Sequence, residues 1–195
     1  MAINLTKGQS IILSKTQYDL SQMIMGLGWD VGKSGGFWGK LLGFDLDGYA
    51  LLLGEDGKLK HTNEVISFQN LQSADKTVVH SGDNLTGKGE GDDEQIVVKL
   101  GSLPEKYHKI VLGVEIFTAR MRKQHFGMVK NAFVRAIDAK GIEIARYSLS
   151  GNASYDGKIC MLMGEIYKHA GDWNFRALGD ALDSDRDGVI KSFLG

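Results

Sequence analysis

Short runs of apolar residues, several of them alternating with polar residues, recur along the chain and are separated by glycine-containing turns. A period of two is typical of β-strands with one buried face, and runs such as residues 96–98 are also rich in β-branched side chains. The pattern predicts strands at residues 10–14, 23–27, 48–53, 65–68, 78–80, 95–100, 109–117, 131–137, 142–149, 158–167 and 173–178. Helical patterns are restricted to residues 119–126 and 187–194. The prediction is an all-β fold, a β-sandwich of two mainly antiparallel sheets with one or two short helices.

Composition limits the domain count and the partners. A chain of 195 residues that is 43% hydrophobic can fill one core, so residues 1–195 are predicted to form a single domain. Its 26 glycines and its single proline suit many tight turns between short strands. The net charge of −1 provides no strong positive field for phosphate backbones, so nucleic acid is not an expected partner.

The expected cellular location depends on two patterns, a membrane-spanning run and a signal peptide. No run approaches the roughly 18 apolar residues that span a bilayer, and residues 1–7 do not have the pattern of a signal peptide. We therefore expect a cytoplasmic protein. A single cysteine, Cys160, excludes an internal disulfide, and its apolar neighbours predict a buried, inert thiol.

The most unusual segment is acidic. Residues 83–94 contain five carboxylates and one cation, Lys88, so the local charge is 1 − 5 = −4. Glycines at 87, 89 and 91 allow the chain to fold back tightly. Hard oxygen ligands suit Ca²⁺, which takes about 6–8 oxygens. We predict a calcium loop rather than a solvated acidic loop, with these ligands: Asp83, Asn84, Asp92, Asp93 and Glu94.

Further aspartates could join this loop. Asp30 follows a predicted strand end, where side chains from different strands can converge; the alternative is that it caps a turn. Asp45 and Asp47 are two residues apart, so an extended strand would project both to one face, as ligands or as a plain polar face. Because one ion would leave a large excess of negative charge, we expect two Ca²⁺ ions that share the carboxylates of Asp92, Asp93 and Glu94.

Together these residues resemble the TerD family of tellurium-resistance and stress proteins. The resemblance rests on Leu-Thr-Lys-Gly at 5–8, Gly-Leu-Gly-Trp-Asp at 26–30, Phe-Asp-Leu-Asp at 44–47, the Gly-Asp-Asn-Leu-Thr-Gly to Gly-Asp-Asp-Glu segment at 82–94, and Trp-Asn-Phe-Arg-Ala-Leu-Gly at 173–179. It implies a β-sandwich that binds calcium through acidic loops at one end, in a cytoplasmic or membrane-peripheral stress system. It also favours Asp30 and Asp45 over Asp47 as ligands. Glu90 and the glycine- and aromatic-rich residues 31–43 depart from the family pattern.

The resulting hypothesis is a calcium-binding, non-enzymatic stress-response protein whose ordered loops form a surface for other stress or tellurium-resistance proteins, or for a second copy of the chain. The alternatives are a metal-dependent hydrolase or phosphate-handling enzyme, and a simple calcium buffer or sensor. No G-x-S-x-G motif supports a serine hydrolase, and the five histidines lack metal-ligand spacing.

Two other segments leave alternatives open. Residues 183–188 match the first half of an EF-hand loop, but Leu194 stands where a bidentate glutamate is needed, so a solvated turn is expected. The basic residues between 120 and 130 predict either a solvated helix face or a docking surface for an acidic partner or an anionic membrane.

Overall fold

The structure, a computed structural model, describes residues 2–30, 44–82, 92–149 and 153–195, with the main chain alone for Asp30 and Ala153. Strands dominate this part of the chain and form two sheets, which confirms the predicted fold class. The strands are β1 (Ile3–Leu5), β2 (Ser10–Leu13), β3 (Met23–Asp30), β4 (Leu46–Leu53), β5 (Val65–Ile66), β6 (Val78–His80), β7 (Glu94–Val98), β8 (Lys109–Ile116), β9 (Lys130–Ile137), β10 (Glu143–Leu149), β11 (Cys160–His169) and β12 (Asp172–Leu182). The helices are α1 (Ala119–Arg122) and α2 (Arg186–Phe193).

Within the described residues, each sheet has six strands. The first sheet has the order β1-β10-β9-β3-β7-β6, and the second has the order β2-β12-β11-β8-β4-β5. Strand β1 pairs with β10 in parallel, and the other pairs are antiparallel. The chain crosses between the sheets repeatedly, so neighbours in a sheet are often distant in sequence. The main core combines buried side chains from both sheets, including Met25 and Leu27 of the first and Leu52 and Phe175 of the second.

The second sheet is covered on its outer face as well. All eight residues of β4 are buried, because alternate side chains enter either the main core or a second cluster. That second cluster contains Tyr49 and Leu51 of β4 together with Val189 of α2, and Phe193 packs against it. A strand that is covered on both faces is apolar throughout rather than alternating, which explains the continuous apolar run at residues 49–53.

The cysteine lies in this second cluster. Cys160 is fully buried, its Sγ lies 3.0 Å from the Tyr49 hydroxyl, and burial raises the pKa of its thiol to about 11. The thiolate is the reactive form, so at pH 8 only about one thiol in a thousand would be reactive even if reagent reached it. We expect no labelling by a maleimide or disulfide reagent in the native protein and one equivalent in guanidinium chloride. Rapid labelling of the native protein would contradict this burial.

The predicted helices differ from the observed ones in length. The segment 119–126 contains only one helical turn, because Lys123 adopts a left-handed conformation (φ 53°) that ends α1. At the C-terminus the helix runs from Arg186 to Phe193, close to the predicted 187–194. The EF-hand-like segment begins this helix, since the Asp185 carboxylate accepts a hydrogen bond from the Gly188 main-chain N–H (2.8 Å). This contact is an N-cap, and it gives Asp185 a structural role at the start of the helix.

Candidate metal centre at one end of the sandwich

Several strand ends meet at one end of the sandwich. Here β3 ends at Asp30 beside Lys130 of β9, and β4 begins at Leu46 beside Ile116 of β8. Strand β7 begins at the same end with Glu94, which pairs with Leu27. Of the predicted ligands, Asp92, Asp93, Glu94 and Asp45 are within the part of the chain that the structure describes, whereas Asp83 and Asn84 lie outside it. The Asp30 main chain belongs to this end, at the last position of β3.

Asp92 is held by an arginine on the outer face of the first sheet. Its carboxylate has no exposed surface and accepts hydrogen bonds from Arg135 Nε (2.6 Å) and Gln95 Nε2 (3.1 Å). The missing side chain of Gly26 makes room for it, because a Cβ there would overlap the Asp92 carboxylate. The hydrogen bond to Asp92 raises the pKa of Arg135. The negative charge of Asp92 is therefore already balanced by a protein cation.

Arg135 also belongs to a wider ionic network. Its Nη1 donates to Glu143 Oε2 (2.9 Å), and Arg146 donates to both Glu143 oxygens (2.8 and 2.9 Å). The guanidinium of Arg146 stacks on the Phe133 ring, 4.2 Å from its centroid. This network, here called the Arg135 network, consists of Asp92, Arg135, Glu143 and Arg146. It fixes the residue at which the acidic segment joins β7.

Asp93 ties the acidic segment to the end of β3. Its main-chain N–H donates to the Leu27 carbonyl (2.8 Å), and its Oδ2 accepts from the Trp29 main-chain N–H (2.8 Å). The chain bends at Asp93, so Asp92 lies on the outer face of the sheet although it is two residues before the inward-facing Glu94. The three consecutive carboxylates therefore occupy different surroundings.

Glu94 is a predicted ligand whose carboxylate is buried between the two sheets. Its side chain is 1% exposed, and its Oε2 accepts from the Gly48 main-chain N–H (2.6 Å) on the opposite sheet. A Cβ at Gly48 would lie 2.7 Å from that oxygen, so glycine is needed for the approach. Oε1 is buried and has no hydrogen-bond partner among the described residues. Buried carboxylate oxygens almost always have a partner, so this oxygen can still accept a hydrogen bond or contact a cation.

His80 orients this carboxylate and was not predicted as a site residue. The Gly82 main-chain N–H donates to its Nδ1 (3.0 Å), so Nδ1 is unprotonated and Nε2 carries the ring proton. Nε2 lies 3.1 Å from the Gly48 carbonyl oxygen and 3.4 Å from Glu94 Oε2. His80 is a fully buried residue that links the start of the acidic segment to Glu94. The five histidines are scattered along the sequence, so their spacing did not indicate this role.

The aspartates before and within β4 are placed differently. Gly48 faces the interior, because its Cβ position contacts Leu27 of the other sheet, so the side chain of its neighbour Asp47 lies on the outer face of the second sheet. Asp47 pairs in register with Glu115, whose pKa is raised by burial. Asp45 precedes β4 and its carbonyl accepts from the Phe117 N–H (2.7 Å). Asp47 is thus separated from Glu94 by the sheet.

Among residues 2–30, 44–82, 92–149 and 153–195, no three His, Cys, Asp or Glu side chains are close enough to hold a metal ion by themselves. The whole of the predicted ligand set stays a prediction, since two of its members lie outside these ranges. Within the same ranges, no helix is long and apolar enough to cross a membrane.

These features define a two-sheet β-sandwich protein with buried carboxylates at one end. The TerD domain matches residues 1–193, and the chain belongs to the TerD family. It is 43% identical to the stress response protein SCP2 of Bacillus subtilis over 202 aligned positions, with all of both chains covered. It is 42% identical to the tellurium resistance protein TerD of Serratia marcescens, with 92% of this chain and 90% of that protein covered.

A solved structure supports the architecture. A homologue of telluride resistance protein (TerD) from Streptomyces coelicolor A3(2), SCO6318, superposes with a TM-score of 0.64 at 22% identity, covering 87% of this chain and 95% of that one. At this identity the likeness shows the fold alone. The resemblance drawn from the sequence motifs is confirmed by the family match.

Proposed function

We propose that this protein is a calcium-binding, non-enzymatic stress-response protein whose acidic end presents an interaction surface. The observation that carries the proposal is the buried Glu94 Oε1, which has no hydrogen-bond partner within the described ranges, at the point where the acidic segment enters the sandwich. The relatives named for stress response and tellurium resistance support the biological setting. The buried free thiol of Cys160 suits the reducing cytoplasm.

The residues present fit a hard cation. Glu94 and Asp93 offer carboxylate oxygens, and calcium accepts carboxylates and main-chain carbonyls in flexible geometry. Glu94 Oε1 is the strongest described ligand, with Asp83 and Asn84 completing the set in this proposal. Asp92 is better suited to a supporting role, because both of its oxygens already accept hydrogen bonds. Asp30 and Asp45 belong to the same end and are proposed as ligands of a second ion.

The ion's contribution would be electrostatic. Bound calcium neutralises carboxylates that otherwise repel one another, so the acidic segment adopts one arrangement and exposes a defined surface. The chain's own residues prepare that arrangement: His80 and Gly48 orient Glu94, and Trp29 orients Asp93. The proposed partners of the resulting surface are other stress or tellurium-resistance proteins, or a second copy of the chain.

Calcium is expected to raise the melting temperature and EDTA to lower it. A ligand at 100 times its Kd stabilises the native state by about 2.7 kcal/mol, which corresponds to roughly 5–10 °C for a domain of this size. Differential scanning fluorimetry with Ca²⁺, with Mg²⁺ and with EDTA measures the shift. Isothermal titration should give two calcium ions per chain, with fewer in Asp83→Ala and Asp93→Ala.

Three outcomes separate the proposal from its alternatives. No thermal shift at millimolar calcium would overturn the calcium assignment. Calcium binding without any change in sedimentation coefficient, alone or with a TerD-family partner, would favour a simple buffer. Metal-dependent hydrolysis that is lost in Asp93→Ala would contradict the non-enzymatic part.

A further inference from the structure

A basic segment with exposed apolar side chains joins the two sheets at the acidic end of the sandwich. Residues 117–130 contain Arg120, Arg122, Lys123 and Lys130 and no aspartate or glutamate, so their charge is +4 with neutral histidine. The segment leaves β8 after Ile116 and enters β9 at Lys130. We call it the basic turn.

Buried side chains and a main-chain hydrogen bond anchor the basic turn to the sandwich. Ala119 and Phe126 are buried in the main core, and the Phe126 main-chain N–H donates to the Lys158 carbonyl (2.8 Å). Helix α1 is flanked by two non-glycine residues in left-handed conformations, Thr118 (φ 54°) and Lys123 (φ 53°). A β-branched residue rarely adopts such a φ, so the surrounding structure holds this turn in one specific shape.

This shape displays apolar side chains to solvent. Met121 is 79% exposed, Met128 is 48% exposed and Phe117 is 44% exposed. Arg120 is largely exposed too, although it contacts Asp183 (3.2 Å). Three large exposed apolar side chains on one short segment make that segment a candidate contact surface. The cations beside them define the chemistry of its partner.

We propose that the basic turn docks on an anionic lipid surface, with Met121 and Phe117 entering the headgroup region and the cations facing lipid phosphates. Charge complementarity supports this occupant, since each Lys or Arg near an anionic bilayer contributes to binding. Binding to a membrane interface strengthens with the apolar area buried in it and with electrostatic attraction to anionic lipids. A protein partner would instead need a broad complementary surface of about 800 Å². The inference does not depend on calcium, because its cations lie outside the acidic segment.

Vesicle co-sedimentation tests the proposal. The full chain is mixed with vesicles of phosphatidylcholine alone or of phosphatidylcholine with phosphatidylserine, in calcium and separately in EDTA. Binding is expected only with phosphatidylserine. Lys123→Glu is expected to weaken it by about tenfold or more, and Met121→Ser to weaken it as well.

Matched controls separate a local surface from net charge and general stickiness. Lys140→Glu makes the same charge change in the exposed turn between β9 and β10, and Ile12→Ser removes an apolar side chain that is 60% exposed on β2. Both are expected to bind vesicles like the unmodified protein. Melting temperatures of all four variants confirm that each is folded.

A fluorescent label measures directly whether the basic turn inserts into the bilayer. Because Cys160 is buried, a Met121→Cys variant offers one accessible thiol for an environment-sensitive dye. A blue shift of the dye with phosphatidylserine vesicles supports the proposal. The proposal is overturned by absence of vesicle binding in both buffers, by equal effects of Lys123→Glu and Lys140→Glu, or by binding without a blue shift. Equal binding to polyglutamate, with no blue shift on vesicles, would identify an acidic protein as the partner instead.

Discussion

Replacing Arg135 with methionine is expected to lower the free energy of unfolding by about 3–5 kcal/mol. Methionine keeps part of the apolar stem but leaves the Asp92 carboxylate, which has no exposed surface, without its cation. Removing one partner of a buried ion pair leaves the other charge desolvated and uncompensated. The resulting loss of stability is larger than the net contribution of the intact pair. Urea denaturation measures the change, with a melting temperature lower by roughly 10 °C.

Arg146→Met is the matched control within the same network. Arg146 also pairs with Glu143 and is more exposed than Arg135, and Arg135 would remain to contact Glu143. Its removal should therefore cost about 1 kcal/mol or less. Adding Asp92→Asn to Arg135→Met removes the buried charge and should recover much of the stability. Similar small losses in Arg135→Met and Arg146→Met would show that Asp92 is not dependent on Arg135.

The stability that the Arg135 network contributes also depends on pH. Hydrogen bonds from Arg146 hold the pKa of Glu143 below its ordinary value of 4.5. A carboxyl with a lowered folded-state pKa stabilises the native state above the unfolded-state pKa and loses that contribution as pH falls through the folded-state pKa. The contribution of Glu143 is therefore present at neutral pH and is lost in acid below about pH 4.5.

The strand pattern predicted the fold class because most strands bury one face and alternate accordingly. It predicted strand ends less well where tertiary contacts decide them. β3 continues to Asp30 and β12 to Leu182, three and four residues beyond the predicted ends at 27 and 178, because pairing with β9 and β11 extends them. The three-residue edge strand β1 is too short for a periodic signal.

The candidate site shows a different limit of prediction from sequence. Local sequence identified the acidic segment, but Asp92 and Arg135 are 43 residues apart and meet only because β3 lies between β7 and β9. Periodicity along one strand does not specify such a neighbour. Gly26 and Gly48 do indicate something in the sequence, because a glycine within a strand often marks a position that another group approaches closely. Neither glycine identifies the carboxylate that approaches it.

Glu94→Gln is expected to weaken calcium binding by roughly 2–3 kcal/mol, or about 100-fold in Kd. The substitution removes one negative charge at the buried oxygen for which the described part of the chain provides no partner. It preserves the shape of the side chain and an oxygen that can accept from the Gly48 N–H. The calcium-induced rise in melting temperature should therefore largely disappear, while the far-ultraviolet circular dichroism spectrum stays the same.

In EDTA the same variant should melt at the same temperature as the unmodified protein or higher, because a neutral amide costs less to bury than a carboxylate. Opposite signs in the two buffers distinguish a ligand from a purely structural residue, whose loss would destabilise in both. Glu165→Gln is the matched control, since Glu165 is equally buried but pairs with Lys109 and Arg176 in the second sheet. It should keep the full calcium response. An unchanged calcium affinity in Glu94→Gln would mean that Oε1 does not face the ion.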